Sequence, residues 1–257
     1  MSSASHEDSP QPDQTAAMLG SYFYESRRPL VSLVFVSPLL VIYELGVLWL
    51  GPNAMRNGAE VWLRTLLDTF GLGQYFLLPA LTVGLLLAWH HASRQPWRVP
   101  SWVFGGMTSE CLSLALLLVL IALMQGAIGR IFSATPQSAS TLLIASGLGD
   151  IAQRAISFFG AGFYEEVLFR LMLLPGLIVI FSLLGQSSSR SVWGAIILSS
   201  LLFSLAHYLG PQGDAFGWFG FIFRFLAGGF FAVVFVHRGF GIAAGTHALY
   251  DIFVGLF

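Results

Sequence analysis

The feature that most constrains this sequence is a succession of apolar runs, each long enough to cross roughly 30 Å of hydrocarbon as a helix. Seven are read, at about 30–50, 74–91, 102–128, 162–184, 191–209, 217–237 and 240–257. Breakers stand between them: Gly51-Pro52-Asn53, Arg94-Gln95-Pro96, Ser187-Ser188-Ser189-Arg190 and Gly210-Pro211-Gln212-Gly213-Asp214. Charged residues make up 10% of the 257, against about 25% in soluble domains, and mean hydropathy is +0.76. The alternating ten-residue strands of a membrane barrel are absent. The expected fold class is all-α, a polytopic membrane helix bundle of about seven transmembrane helices plus one or two interfacial helices.

Residues 1–26 are rich in Ser, Gln, Pro and acids, and are expected to form a disordered polar tail. Without a basic stretch leading into a short apolar core, they do not read as a cleavable signal peptide. Residues 27–257 are expected to form a single transmembrane domain. Within it, residues 56–70 set Arg56, Glu60, Arg64 and Asp68 among Val61, Trp62, Leu63, Leu66 and Leu67, the pattern of an amphipathic helix lying at the interface. A second such helix is expected at 139–158. The chain has 13 acidic residues, 12 arginines and no lysine, for a net charge of -1, which excludes nucleic acid as an electrostatic partner. Cys111 is the only cysteine, which excludes a disulfide scaffold. With a cytoplasmic N-terminus, the inside segments hold Arg27, Arg28, Arg94, Arg98, Arg190 and Arg238, and the outside ones Arg56, Arg64, Arg130 and Arg154. This asymmetry favours the N-terminus inside. The arginine-only basic set fits a bacterial inner-membrane protein.

Ionisable side chains within spans cost about 2.5–3.5 kcal/mol each at a helix centre, so each is a candidate for function. Here they are Glu44, Glu110, Glu165, Glu166, Arg170, His207, Arg224, His247 and Asp251. Five carboxylates face two arginines and two histidines, a balance that calls for protonation, water or a metal. The densest cluster runs from Glu165 to Arg170. Glu166 and Arg170 are four apart and can pair on one helix face. Glu165 lies about 140° from Arg170 at 100° per residue, without a local partner, and suits a general base. A salt-bridged pair stabilising the bundle would account for Glu166 and Arg170, but it leaves Glu165 buried at a cost.

Two further pairs, Phe203 with His207 and His247 with Asp251, repeat the four-residue spacing on later runs. Antiparallel succession of the spans brings all three motifs toward one membrane face and into one cavity. Under the favoured orientation that cavity opens outward. Arg224 could offset Glu44 or Glu110 as a buried pair, or clamp a substrate carboxylate. Cys111 reads as a small packing hydrophobe, and His90-His91 beside Trp89 as an interfacial anchor.

In this order, on separate apolar runs, Glu165-Glu166…Arg170, Phe203…His207 and His247…Asp251 resemble the EExxxR, FxxxH and HxxxN/D motifs of the CAAX protease and bacteriocin-processing (CPBP, or Abi) family of intramembrane peptidases. The resemblance covers about residues 150–257. It implies a glutamate-dependent endopeptidase that needs no cofactor. Glu165 and His207 would activate water, with Glu165 as base. Glu166 and Arg170 would orient them, Phe203 would wall the pocket, and His247 with residue 251 would contact the oxyanion. Where the prenyl-protein enzymes of the family carry Asn, this chain carries Asp251. An ionised carboxylate would repel an oxyanion, so Asp251 is protonated, orients His247, or binds a metal.

Two alternatives stand beside this reading. His207, His247 and Asp251 could ligate zinc in an intramembrane metalloprotease, although no HExxH is present. The chain could also be a non-catalytic membrane binding or regulatory protein of the same fold. The implied partners are the lipid bilayer and a protein or peptide substrate, such as a C-terminal membrane anchor or an exported peptide.

Overall fold

A computed structural model describes residues 14–132, 148–210 and 213–256, and the regular structure among them is entirely helical. The helices are α1 (Gln14–Ser26), α2 (Pro29–Leu50), α3 (Gly58–Thr69), α4 (Leu77–Ala92), α5 (Val103–Phe132), α6 (Leu148–Gly160), α7 (Leu174–Leu183), α8 (Ser188–Ala206), α9 (Trp218–Arg238) and α10 (Phe240–Leu256). Between α6 and α7 the backbone stays helical but widens into π turns over Ala161–Glu165 and Val167–Leu173. Ile151–Leu183 is therefore one apolar helix of 33 residues.

Local chemistry sets the ends. Pro29 occupies the first turn of α2, where its missing N–H has no partner to lose. Asn57 caps α3 by accepting the Ala59 N–H. Gly239, at φ 85°, joins α9 to α10 in a conformation that side chains disfavour.

Among the described residues, five helices are long and apolar enough to cross a membrane: Pro29–Leu50, Val103–Ile128, Ile151–Leu183, Ser188–Ala206 and Trp218–Arg238. With the shorter α4 and α10, all seven expected runs are helical. Large apolar side chains such as Trp49, Leu123 and Leu183 face outward, as a lipid solvent permits. The chain is a multi-pass membrane protein with an all-α bundle. Its most enclosed helix is α10, where Phe240, Ile242, Ala243, Ala244 and Thr246 are wholly buried against neighbours that include α2, α5 and α9. At Gly162 a Cβ would fall 2.6 Å from the backbone nitrogen of Ala248, so the π turns and α10 meet backbone to backbone.

Three expectations need correction. Residues 14–26 are helix α1 rather than disordered tail, while residues 1–13 lie outside the described residues. Contacts hold this helix: Tyr22 donates to Glu110 at 2.6 Å, and Glu25 is buried against Arg28. The helix expected at 139–158 is not a separate interfacial element among the described residues. Residues 148–158 belong to α6, which runs on into the π turns, and residues 133–147 lie outside the described residues. His90 is fully buried with its ring edge-on to Trp97, 4.7 Å between centroids, rather than anchored at a surface. The amphipathic helix expected at 56–70 is present as α3, its Ala59 and Leu63 packed into the main core.

Candidate active site

The π turns carry the first motif. Glu166 is completely buried, and Arg170 is 1% exposed. A low-dielectric interior tolerates such charges only when they are paired. Arg170 Nη1 stands 3.2 Å from Glu166 Oε1 as an ion pair, and Nη2 donates to the Gly228 carbonyl of α9 at 3.1 Å. The guanidinium also lies over the Phe203 ring, 4.4 Å from its centroid.

His247 of α10 closes the pair into a triad. Its Nδ1 is 2.8 Å from the same Glu166 oxygen. A carboxylate accepts, so Nδ1 carries the proton. The ring stacks on Phe231 at 4.4 Å and 15°. These contacts fix its plane and leave Nε2 directed to two other carboxylates, Glu165 Oε2 at 3.8 Å and Asp251 Oδ2 at 3.6 Å. Asp251 thus stands beside Nε2 of His247, beyond hydrogen-bond distance.

Glu165 is not as free as its spacing implied. Its Oε1 accepts from Asn57 Nδ2 at 2.8 Å, while Oε2 is buried without a hydrogen-bond partner. Nothing in the motifs pointed to Asn57. Its sequence signal is that of a helix cap in the Arg56-Asn57-Gly58 turn, and the contact spans 108 positions.

The structure brings together Glu165, Glu166, Arg170, His247 and Asp251, with Phe203 against them. His207 is placed one step away. Its Nδ1 is 2.9 Å from the Phe203 carbonyl, and its ring lies 4.9 Å from the Phe203 ring, whose other contacts include His247 at 6.1 Å. A carbonyl accepts, so His207 carries its proton on Nδ1. It forms no ion pair with a described carboxylate.

The surplus of carboxylates in the spans is resolved by arginines outside the expected set. Glu44 accepts from Tyr164 and lies 3.7 Å from Arg64 of α3. Glu110 takes Arg238, from the end of α9, through two hydrogen bonds. Arg224 pairs with neither. It forms a partly exposed pair with Asp214, outside the spans, and its guanidinium lies 5.2 Å from the Tyr208 ring. Cys111 is buried, with Sγ 3.5 Å from the Ile242 carbonyl.

No group of three His, Cys, Asp or Glu side chains among the described residues is arranged to hold a metal ion. The set His207, His247 and Asp251 is not drawn together, since the two imidazoles each pack on the Phe203 ring, at 4.9 and 6.1 Å between centroids. Beside the site, an apolar groove of about 460 Å³ runs between α3, α4 and the π turns. Leu63, Leu67, Leu81, Leu85 and Val167 line it, and Val167 directly follows Glu166.

These observations define a class: multi-pass helical membrane proteins with a carboxylate–imidazole centre inside the bundle. Residues 147–253 match the family model described as type II CAAX prenyl endopeptidase, Rce1-like. That segment is similar to this family of CAAX-protease-like intramembrane endopeptidases, and it contains every motif residue from Glu165 to Asp251. The resemblance read from the three motifs is borne out over the part of the chain that carries them. Neither the curated proteins nor the solved structures contain a match.

Proposed function

We propose that this chain hydrolyses a peptide bond at or within the bilayer, with Glu165 as the general base. The observation that carries the reading is the buried, unpartnered Oε2 of Glu165, 3.8 Å from Nε2 of an imidazole that Glu166 locks in place. That distance exceeds a direct hydrogen bond and suits a water held between the two groups. Glu165 takes a proton from this water as its oxygen attacks the scissile carbonyl. His247, with its Nδ1 held by Glu166, presents its Nε2 to the reaction, and His207 stands behind the Phe203 ring. A proton on Nε2 of His247 donates to the oxyanion, an interaction of about 2.7–4 kcal/mol per donor. Collapse of the tetrahedral intermediate breaks the C–N bond, and the leaving amine takes the proton back from Glu165.

The apolar groove that Val167 and Met172 of the motif helix line supports a substrate with an apolar segment, such as a C-terminal membrane anchor or an exported peptide. A bacterial inner membrane with a cytoplasmic N-terminus is part of this proposal. The residues present supply base, orienting groups and oxyanion donors without a metal.

The test compares membrane proteomes of cells expressing the chain or its Glu165→Gln variant, with and without a zinc chelator. New cleavage products that vanish in the variant by at least about 100-fold, at equal protein level and independent of chelator, are expected. Products that persist in Glu165→Gln would overturn the mechanism, and products lost only to chelator would favour zinc.

A further inference from the structure

We infer that Asn57 is the positioning residue for the Glu165 carboxylate, and that it couples the seating of helix α3 to the geometry of the reactive centre. The inference rests on the reading of Glu165 as base.

The orientation of the Asn57 amide is not arbitrary. Its Oδ1 accepts the Ala59 N–H at 2.9 Å, and a backbone N–H can only donate. The NH₂ end must therefore face Glu165, where Nδ2 donates to Oε1 at 2.8 Å. One planar side chain thus spans two jobs, cap of α3 and donor to the carboxylate, and neither can be satisfied with the amide turned over.

The turn that carries it is held from below by a buried polar knot. Glu60, completely buried on the first turn of α3, accepts from Arg56 at 2.5 Å, from Arg64 and from Tyr43 of α2. Arg64 in turn donates to the Tyr75 carbonyl at 2.6 Å. The Glu165 carboxylate contacts Asn57 from the α3 cap and His247 from α10, and Asp251 and Arg170 lie within electrostatic reach of it. Asn57 is the only neutral donor among them. By occupying Oε1 it stabilises the charged carboxylate and turns Oε2 toward His247, which is the geometry a base requires.

Two substitutions separate the jobs. Asn57→Ser and Asn57→Asp both retain a side-chain oxygen that caps α3 well. Serine removes the reach to Glu165, and aspartate replaces the donor with a second carboxylate. The full chain, reconstituted in phosphatidylcholine nanodiscs, is treated with dicyclohexylcarbodiimide, which modifies protonated carboxyls in apolar surroundings. Labelling of Glu165 is read by mass spectrometry at neutral pH, with Glu165→Gln separating it from Glu166. Losing the donor on Oε1 raises the labelled fraction several-fold in Asn57→Ser, and further in Asn57→Asp. Thermal unfolding stays close to that of the parent in both. Glu165 labelling that is the same in all three chains, whether strong or absent, overturns the inference. Because the readout does not depend on cleavage, the two failures are distinct. Raised labelling alongside cleavage that survives Glu165→Gln would sink the catalytic reading and leave the hold of Asn57 on Glu165 intact.

Discussion

Replacing Arg170 with methionine tests whether the first motif is an electrostatic unit or a packing element. Methionine keeps an unbranched apolar stem but no charge and no donors. Glu166, with no exposed surface, would retain only His247 Nδ1 as a partner, and the Gly228 carbonyl would lose its side-chain donor. Removing one member of a buried pair costs about 3–5 kcal/mol, because the surviving charge stays desolvated. At about 2–4 °C per kcal/mol for a chain of this size, Tm should fall by about 10 °C. Glu166→Gln alone should cost less, since the amide still reaches both neighbours. In the double variant no stranded charge remains, so the two losses should overlap by at least about 2 kcal/mol. The assay is reversible unfolding of all four chains in mixed micelles, followed by tryptophan fluorescence. Losses that add to within about 0.5 kcal/mol, or a loss below about 1 kcal/mol for Arg170→Met, would refute the claim that charge pairing holds this site together.

Two further predictions concern α10. Gly162→Ala inserts a Cβ 2.6–2.7 Å from the Ala248 backbone, and should cost about 1–3 kcal/mol and most of the cleavage by pushing His247 away. Gly176→Ala on α7, with open space around it, should do neither, and equal melting temperatures for the two would remove the argument for close approach. Asp251→Asn should keep cleavage within about tenfold of the parent, because the amide can still stand beside His247 at the observed 3.6 Å and donates where the carboxylate cannot. A loss of turnover as deep as that of Glu165→Gln would assign Asp251 a proton-transfer role instead.

The sequence is legible where one physical variable dominates. Hydrocarbon thickness dictates the length of apolar runs, so six of the seven helices could be placed within a few residues, while the run read at 162–184 begins more than ten residues earlier, at Ile151. A four-residue spacing dictates a shared helix face, so Glu166–Arg170 and His247–Asp251 could be paired. The failures share a cause, which is that tertiary partners cancel a local cost. Glu25 of α1 looked like tail chemistry, yet it is buried against Arg28. Glu44 and Glu110 looked like surplus charge because Arg64 and Arg238 lie outside the spans that contain them. Asn57 carried only a capping signal, since its second role depends on a contact between residues 108 apart. His207 shares its motif spacing with Phe203, but periodicity says nothing of the distance from that ring to the next helix.

The winding of the motif helix explains how two adjacent glutamates serve one histidine. On an α-helix, neighbours diverge by 100°, and only one of Glu165 and Glu166 could face α10. Here both reach the same imidazole, Glu166 at Nδ1 and Glu165 toward Nε2. The π turns make this arrangement accessible, because i→i+5 closure widens the helix and shifts each side chain around its axis. Such turns give up tight axial packing, and they persist where neighbours compensate. Gly162 supplies one compensation by letting the α10 backbone come into contact, and Arg170 supplies another by tying the wide turn to Gly228 of α9. The EExxxR pattern is thus more than a list of charges on a face. Together with Gly162 three residues upstream, its arginine ties the π turns to α9 and α10, and the two glutamates reach His247 from that winding.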